Sequence, residues 1–210
     1  MSHNRFSQPQ RVAVYIDGFN LQHALRERNR RYLWLDLWAL GNRLLRPRQT
    51  LAAVKLFTAP VRNADEELRA HKTYWAALRA GGQVEVVLGR FQEKHVRCRV
   101  CGGRWRTYEE KETDVSLAIS MIEDAVDGQA DKILLVSGDS DFRTAVRSVR
   151  RLNPGVGVIV VFPPGRQSEV LGRAAHGRMF LGLDAIRQSQ FPESVPGVDG
   201  MTYTRPKYWS

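Results

Sequence analysis

Short apolar runs and longer stretches with helical periodicity alternate along the chain. RVAVYID (11–17), AAVKLFTA (52–59), QVEVVLG (83–89), KILLVSGD (132–139) and VGVIVVF (156–162) read as strands. The first is apolar at nearly every position, as expected of a strand covered on both faces. Helical spacing runs from about Asn20 through LQHALRERN, over LDLWALGNRLL (35–45) with Asp36 as cap, and over NADEELRAHKTYWAALRAGG (63–82). The last of these has Asn63 as cap, acids in its first turn and glycines at its end. TDVSLAISMIEDAVDG (113–128, capped by Thr113), SDFRTAVRSVRRL (140–152) and SEVLGRAAHG (168–177) continue the series. RMFLGL (178–183) predicts a short final strand and DAIRQ (184–188) a last helical turn or two. Strands alternating with helices imply an α/β fold, a parallel sheet with right-handed crossovers.

Two stretches break the pattern. Residues 91–112 are basic, contain CRVCGGRW and lack a helical period, so they read as an inserted arm or hairpin. The tail, 188–210, is rich in Pro and Gly and reads as an extended strap or a partly mobile end. The polar residues 1–10 read as a disordered N-terminus, which leaves 11–187 as one domain.

Charge narrows the function. Lys and Arg number 32 against 22 acids, a formal charge of +10 with a pI near 10.1, which suits a polyanion such as nucleic acid. The arm concentrates this charge in Arg90, Lys94, Arg97, Arg99, Arg104, Arg106 and Lys111. No apolar run is long enough for a signal core or a bilayer span, so no membrane partner is expected. Two cysteines give no disulfide framework, which fits the cytoplasm.

The acids carry the chemistry. In an open parallel sheet, ligands bind beyond the carboxyl ends of the strands, where strand order reverses. Asp17 ends the first strand and Asp139 the strand of KILLV; a strand order 3-2-1-4-5 makes these two neighbours. Asp141 follows by two residues, and Asp114 sits in the first turn of the preceding helix. Four carboxylates drawn together need a compensating cation. Oxygen-only donors suit Mg²⁺ or Mn²⁺, and such ions on a basic protein point to phosphodiester hydrolysis. Each acid taken singly has a plain structural role as a helix cap, turn residue or dipole partner.

YIDGFNL (15–21), EEKETDVSLA (109–118) and VSGDSDF (136–142) together resemble the signature blocks of the NYN domain family, the LabA-like branch of the PIN-like ribonucleases. The resemblance runs from Arg11 to about Arg187. It implies a Rossmann-like PIN/NYN three-layer fold around a central, mainly parallel sheet, with a metal-dependent ribonuclease site. The family's acidic positions fall on Asp17, Asp114, Asp139 and Asp141, and its supporting polar positions on Asn20, Lys111 and Ser137. Asn20 could orient a carboxylate or phosphate, or simply cap its helix.

In the arm, Cys98-x-x-Cys101-Gly is half of a zinc knuckle. Closing a structural Zn²⁺ site takes four ligands, so His95, His71, His176 or a second protomer would have to complete it, the last implying a homodimer. A reduced thiol pair in a tight turn is the plainer alternative. Arg97, Arg99, Arg104 and Arg106 with Trp105 and Tyr108 combine phosphate-binding charge with rings for unstacked bases, which suits single-stranded or looped RNA. Arg143, with Arg147 and Arg150 on the same helical face, either extends that track or is a solvated surface. Two other functions compete with the endoribonuclease: an RNA-binding regulatory module that does not cleave, and a phosphomonoesterase using Asp17 as nucleophile. Phe19, standing where such an enzyme needs a second Asp, argues against the latter.

Overall fold

The computed structural model describes residues 8–60, 65–198 and 200–209, with residues 107–110 described in their backbone only. Six strands form one parallel sheet: β1 (Gln10–Asp17), β2 (Gln49–Thr58), β3 (Val84–Leu88), β6 (Lys132–Val136), β7 (Gly157–Phe162) and β8 (Gly177–Phe180). Their order is β3-β2-β1-β6-β7-β8. This is the predicted order with one strand added at the edge. Strands β4 (Arg90–Arg97) and β5 (Arg104–Lys111) pair only with each other, as the inserted arm.

Alternation along β1 explains the sheet's place in the core. Val12, Val14 and Ile16 face one apolar cluster, while Ala13 and Tyr15 face the other. Helices α1 (Gly18–Arg28), α2 (Leu37–Arg43) and α3 (Asp65–Ala80) lie on the first face. On the second lie α4 (Thr113–Val126), α5 (Arg143–Leu152) and α6 (Glu169–Ala174). The result is the three-layer arrangement expected of the sequence, followed by a short α7 (Leu183–Gln188). None of the described helices is long and apolar enough to cross a membrane.

Caps mark the largest departures from expectation. Asp36 caps α2 as predicted, accepting the Trp38 and Ala39 N–H groups at 3.0 and 2.9 Å. The cap expected at Asn63 lies outside the described residues, as do residues 1–7 of the N-terminus; β1 already begins at Gln10. Thr113 is not a cap. It is the first residue of α4, and the capping position belongs to Glu112, whose backbone is left-handed (φ 79°) with no side-chain capping bond. The chain enters α4 straight from the hairpin, and that bend takes the place of an extended capping residue.

The tail is a strap. Trp34 Nε1 donates to the Pro192 carbonyl at 2.7 Å, and the Phe191 N–H donates to the Trp34 carbonyl. A small hairpin of β9 (Ser194–Pro196) and β10 (Thr202–Thr204) then leads to Trp209, which is fully buried against His71 and Tyr74 of α3.

His71 itself is 1% exposed, and neither ring nitrogen has a hydrogen-bond partner among the described residues. Burial, aided by the nearby Arg26 guanidinium, lowers its pKa from 6.5 to about 4. Glu67, whose carboxylate would favour the protonated ring, is ion-paired to Arg26. The fold therefore holds the neutral imidazole. The unfolded chain begins to take up a proton near pH 6.5 and the folded one only near pH 4, so this contribution to stability is complete above 6.5 and is lost as pH falls through that window. About 3 kcal/mol is at stake by the low end. Urea titrations at pH 7 and pH 4.5 should show a decline that is reduced in His71→Leu.

Candidate active site

Everything at the site follows from the closeness of β1 and β6. Ile16 lies in register with Val136, so the two chains leave the sheet side by side, one through Asp17-Gly18 and the other through Ser137-Gly138-Asp139. Both glycines are needed for close approach. A Cβ on Gly18 would stand 2.6 Å from the Phe57 carbonyl oxygen, and one on Gly138 would stand 2.9 Å from the Arg166 backbone carbon.

A hydrogen-bonded chain locks the two segments together. Asp17, 5% exposed, caps α1 by accepting the Asn20 N–H at 3.0 Å through Oδ1, and accepts the hydroxyl of fully buried Ser137 at 2.8 Å through Oδ2. Ser137 Oγ accepts the Asp139 N–H at 3.0 Å, and Asn20 Oδ1 accepts the Gly138 N–H at 3.0 Å. Asn20 is thus a bridge between the two strand ends. The helix cap is Asp17, three residues earlier than the predicted start at Asn20.

A cleft of about 280 Å³ opens over these ends, lined by Asp17, Phe19, Asn20, His23, Asp114, Asp139 and Arg166. Asp114 arrives from the first turn of α4. That helix is tied to the sheet by Asp124, which accepts the Tyr15 hydroxyl and lies 2.6 Å from Lys55 Nζ. Burial, and then the bond to Asp124, push the Tyr15 phenol far above its ordinary range, so it remains a donor.

Three of the four predicted acids therefore share one cleft. Asp141 does not line it. The strand ends at Val136, and the chain turns through a short 3-10 segment in which the Asp141 N–H caps back onto Asp139 Oδ1 at 2.9 Å, leaving the Asp141 side chain exposed. Among the described residues, no three His, Cys, Asp or Glu side chains are grouped closely enough to enclose a metal ion. Ser137 sits behind Asp17, and Lys111 ends β5 opposite Arg90, outside the cleft lining. Arg143 is exposed at the start of α5.

Three cleft residues, Phe19, His23 and Arg166, are not among the expected site residues. His23 lies one helical turn beyond Asn20, a spacing that could have revealed it. Arg166 comes from the PPGR loop after β7, at the same edge of the sheet, and is ion-paired to Glu27.

The arm starts beside the cleft, where Phe91 packs edge-on against Phe19 with centroids 6.2 Å apart. Residues directly opposite in an antiparallel pair share a face. The register Arg97↔Arg104 and His95↔Arg106 therefore builds one basic face, and Val96↔Trp105 places Trp105, 51% exposed, on the other. The arginines Arg97, Arg104 and Arg106 and the ring of Trp105 thus lie on opposite faces of the hairpin, with Arg99 exposed at the tip. The Tyr108 side chain lies outside the described residues.

Among solved structures, the chain is similar to a protein of unknown function from Vibrio parahaemolyticus, with a TM-score of 0.57 and 20% identity over 86% of this chain and 98% of that one. Among characterised proteins it is similar to the 6-hydroxy-3-succinoylpyridine 3-monooxygenase of Pseudomonas putida, 25% identical over 91% of this chain and 73% of that protein. The signature of the NYN domain matches residues 11–182, most of the sequence and all of the cleft, and the chain belongs to the NYN domain family.

Proposed function

We propose that the protein is a Mg²⁺- or Mn²⁺-dependent endoribonuclease acting on single-stranded or looped RNA. NYN domains are generally nucleases of the PIN-like group. The observation that carries the proposal is the presence of Asp17, Asp114 and Asp139, from three separate elements, around one cleft on a strongly basic protein.

The donor set fits a hard divalent ion. It is made of carboxylate oxygens, each with two lone pairs, so the bonds that orient Asp17 and Asp139 do not exhaust them. With no closed cage among the described residues, the fitting ion is one that keeps several waters and takes phosphate oxygens, as Mg²⁺ does. Asp17 and Asp139 would hold it, with Asp114 binding directly or through water. Such an ion activates water and neutralises charge on the leaving oxygen.

The remaining steps belong to the chain. Ser137 and the Asn20 N–H hold the Asp17 carboxylate, and the Asn20 side chain holds the Gly138 backbone beside it, which orients the strand ends before an ion binds. Arg166, in the same cleft lining and packed against Gly138, would offer a guanidinium to a phosphate oxygen, and Phe19 an apolar wall next to the arm. The basic face of the hairpin would lead the RNA backbone toward the cleft. Arg166→Ala should lower kcat/KM for RNA about tenfold or more. Its effect on melting should be modest, since the lost pair with Glu27 is exposed on the Glu27 side and partly exposed at Arg166.

The Pseudomonas putida relative's name supports a second reading, oxidation of a hydroxylated pyridine. Incubating the purified chain with an RNA pool in Mn²⁺, Mg²⁺ or chelator, and separately with a hydroxypyridine, dioxygen and a two-electron reductant, distinguishes the two. Ion-dependent RNA fragments are expected. Intact RNA alongside consumption of the pyridine would replace this proposal with the second reading.

A further inference from the structure

The tip of the arm is shaped as half of a metal site. Between β4 and β5, the Cys98 N–H donates to the Gly103 carbonyl at 2.7 Å and the Gly102 N–H to the Cys98 carbonyl at 3.0 Å, with Gly102 in the left-handed region (φ 70°). That turn brings the Cys101 and Val100 N–H groups, and the Cys101 thiol, within hydrogen-bonding reach of the Cys98 sulfur. Backbone donors converging on the first sulfur of a Cys-x-x-Cys-Gly turn are what a thiolate needs before it accepts a metal.

The chain cannot finish the site alone. A closed structural zinc takes four N or S ligands, and only two cysteines exist. The described histidines are engaged elsewhere. His71 is buried under Trp209, His176 Nδ1 accepts the Val158 N–H at 3.0 Å, and His23 lines the cleft. His95, the nearest in sequence, lies 3.3 Å from Glu93 and three residues back along the strand, about 10 Å at strand rise. No third potential ligand accompanies the two thiols among the described residues.

We propose that Cys98 and Cys101 of two copies of this chain bind one zinc ion between their hairpin tips, joining the copies as a metal-dependent homodimer. Charge favours this occupant. Two divalent-metal-free tips would repel each other through Arg97, Arg99 and Arg104, whereas one zinc with four thiolates carries net charge −2 and is stabilised by the same guanidiniums. Arg97 already folds toward the turn, its guanidinium standing 3.7 Å from where a Gly102 Cβ would be. Val100, 96% exposed at the tip, would gain cover in the dimer. The tip needs no rearrangement of the body, and the inference does not depend on the nuclease reading.

The test uses the full chain, reduced and stripped of metal, titrated with zinc alone while its mass is followed by light scattering and its metal content by elemental analysis. One zinc per two chains, a doubling of mass, and reversal by chelator are expected. Cobalt in place of zinc should give a tetrahedral thiolate spectrum that saturates at the same ratio. Cys98→Ser and Cys101→Ser should each remain monomeric with an unchanged melting temperature, since both cysteines lie at the exposed end of the arm. One zinc on each monomer, no zinc bound, or a dimer indifferent to chelator and to both substitutions would overturn the proposal.

Discussion

Asp17→Asn is expected to reduce ion-dependent RNA cleavage by about 10³-fold or more while leaving the fold in place. The two halves of this expectation rest on different roles of one side chain. As a helix cap, Asn is equivalent to Asp: its Oδ1 can still accept the Asn20 N–H. At the position of Oδ2 an amide NH₂ would face Ser137 Oγ, which can accept instead of donate once its hydroxyl turns. The net change in stability should lie within about 1 kcal/mol. As a charge facing the cleft, Asp17 has no substitute. Metal assistance supplies several kcal/mol of transition-state stabilisation, and each 1.36 kcal/mol is tenfold in rate. Single-turnover cleavage together with thermal melting of the same preparation separates these roles. A large drop in melting temperature would make Asp17 primarily structural.

Trp209→Ala should be the most destabilising single change in the tail, costing about 3–5 kcal/mol and lowering the melting temperature by roughly 10 °C. Trp209 is fully buried, with ring centroids 5.5 Å from His71 and 5.6 Å from Tyr74. Removing it opens a cavity over α3 and releases the far end of the strap, whose hydrogen bonds to the body at Ser189, Phe191 and Pro192 lie near its beginning. Water admitted there would also allow His71 to protonate nearer its ordinary pKa. The variant should therefore lose part of the stability difference between pH 7 and pH 4.5 that the native chain shows. A melting temperature within a few degrees of the native value would show that the strap contributes little.

The sheet was legible because strands buried on both faces leave an apolar signature no other element shares at that length, and RVAVYID and KILLV both carry it. The expected adjacency of these two strands places Asp17 and Asp139 together at their carboxyl ends. What was less legible depended on features without a period. The sequence left the tail open between an extended strap and a mobile end, because burial of one Trp by a distant helix leaves no local pattern. Thr113 looked like a cap because it precedes an amphipathic run, but the chain arrives from a hairpin whose last bend is made at Glu112. Asp141 is expected beside Asp139 from its spacing and the family resemblance, and the structure leaves it outside the cleft lining. Ser140, the one residue between it and Asp139, opens a turn in which the Asp141 N–H bonds back to Asp139, and sequence spacing does not report the direction of a turn. Arg166 entered from a loop whose length says nothing of which side chain points inward.

Cleavage of a single-stranded RNA by the native chain and by Asp139→Asn, run side by side across a Mn²⁺ titration with a chelator control, tests the central claim most directly. Asn at 139 can still accept the Asp141 N–H, so a defect in the variant reports on charge in the cleft and not on the turn. Cutting that rises with the ion in the native protein and is missing from the variant is the predicted result. Equal cutting by both, or salt-sensitive RNA binding by both with no cutting at any ion concentration, would contradict it.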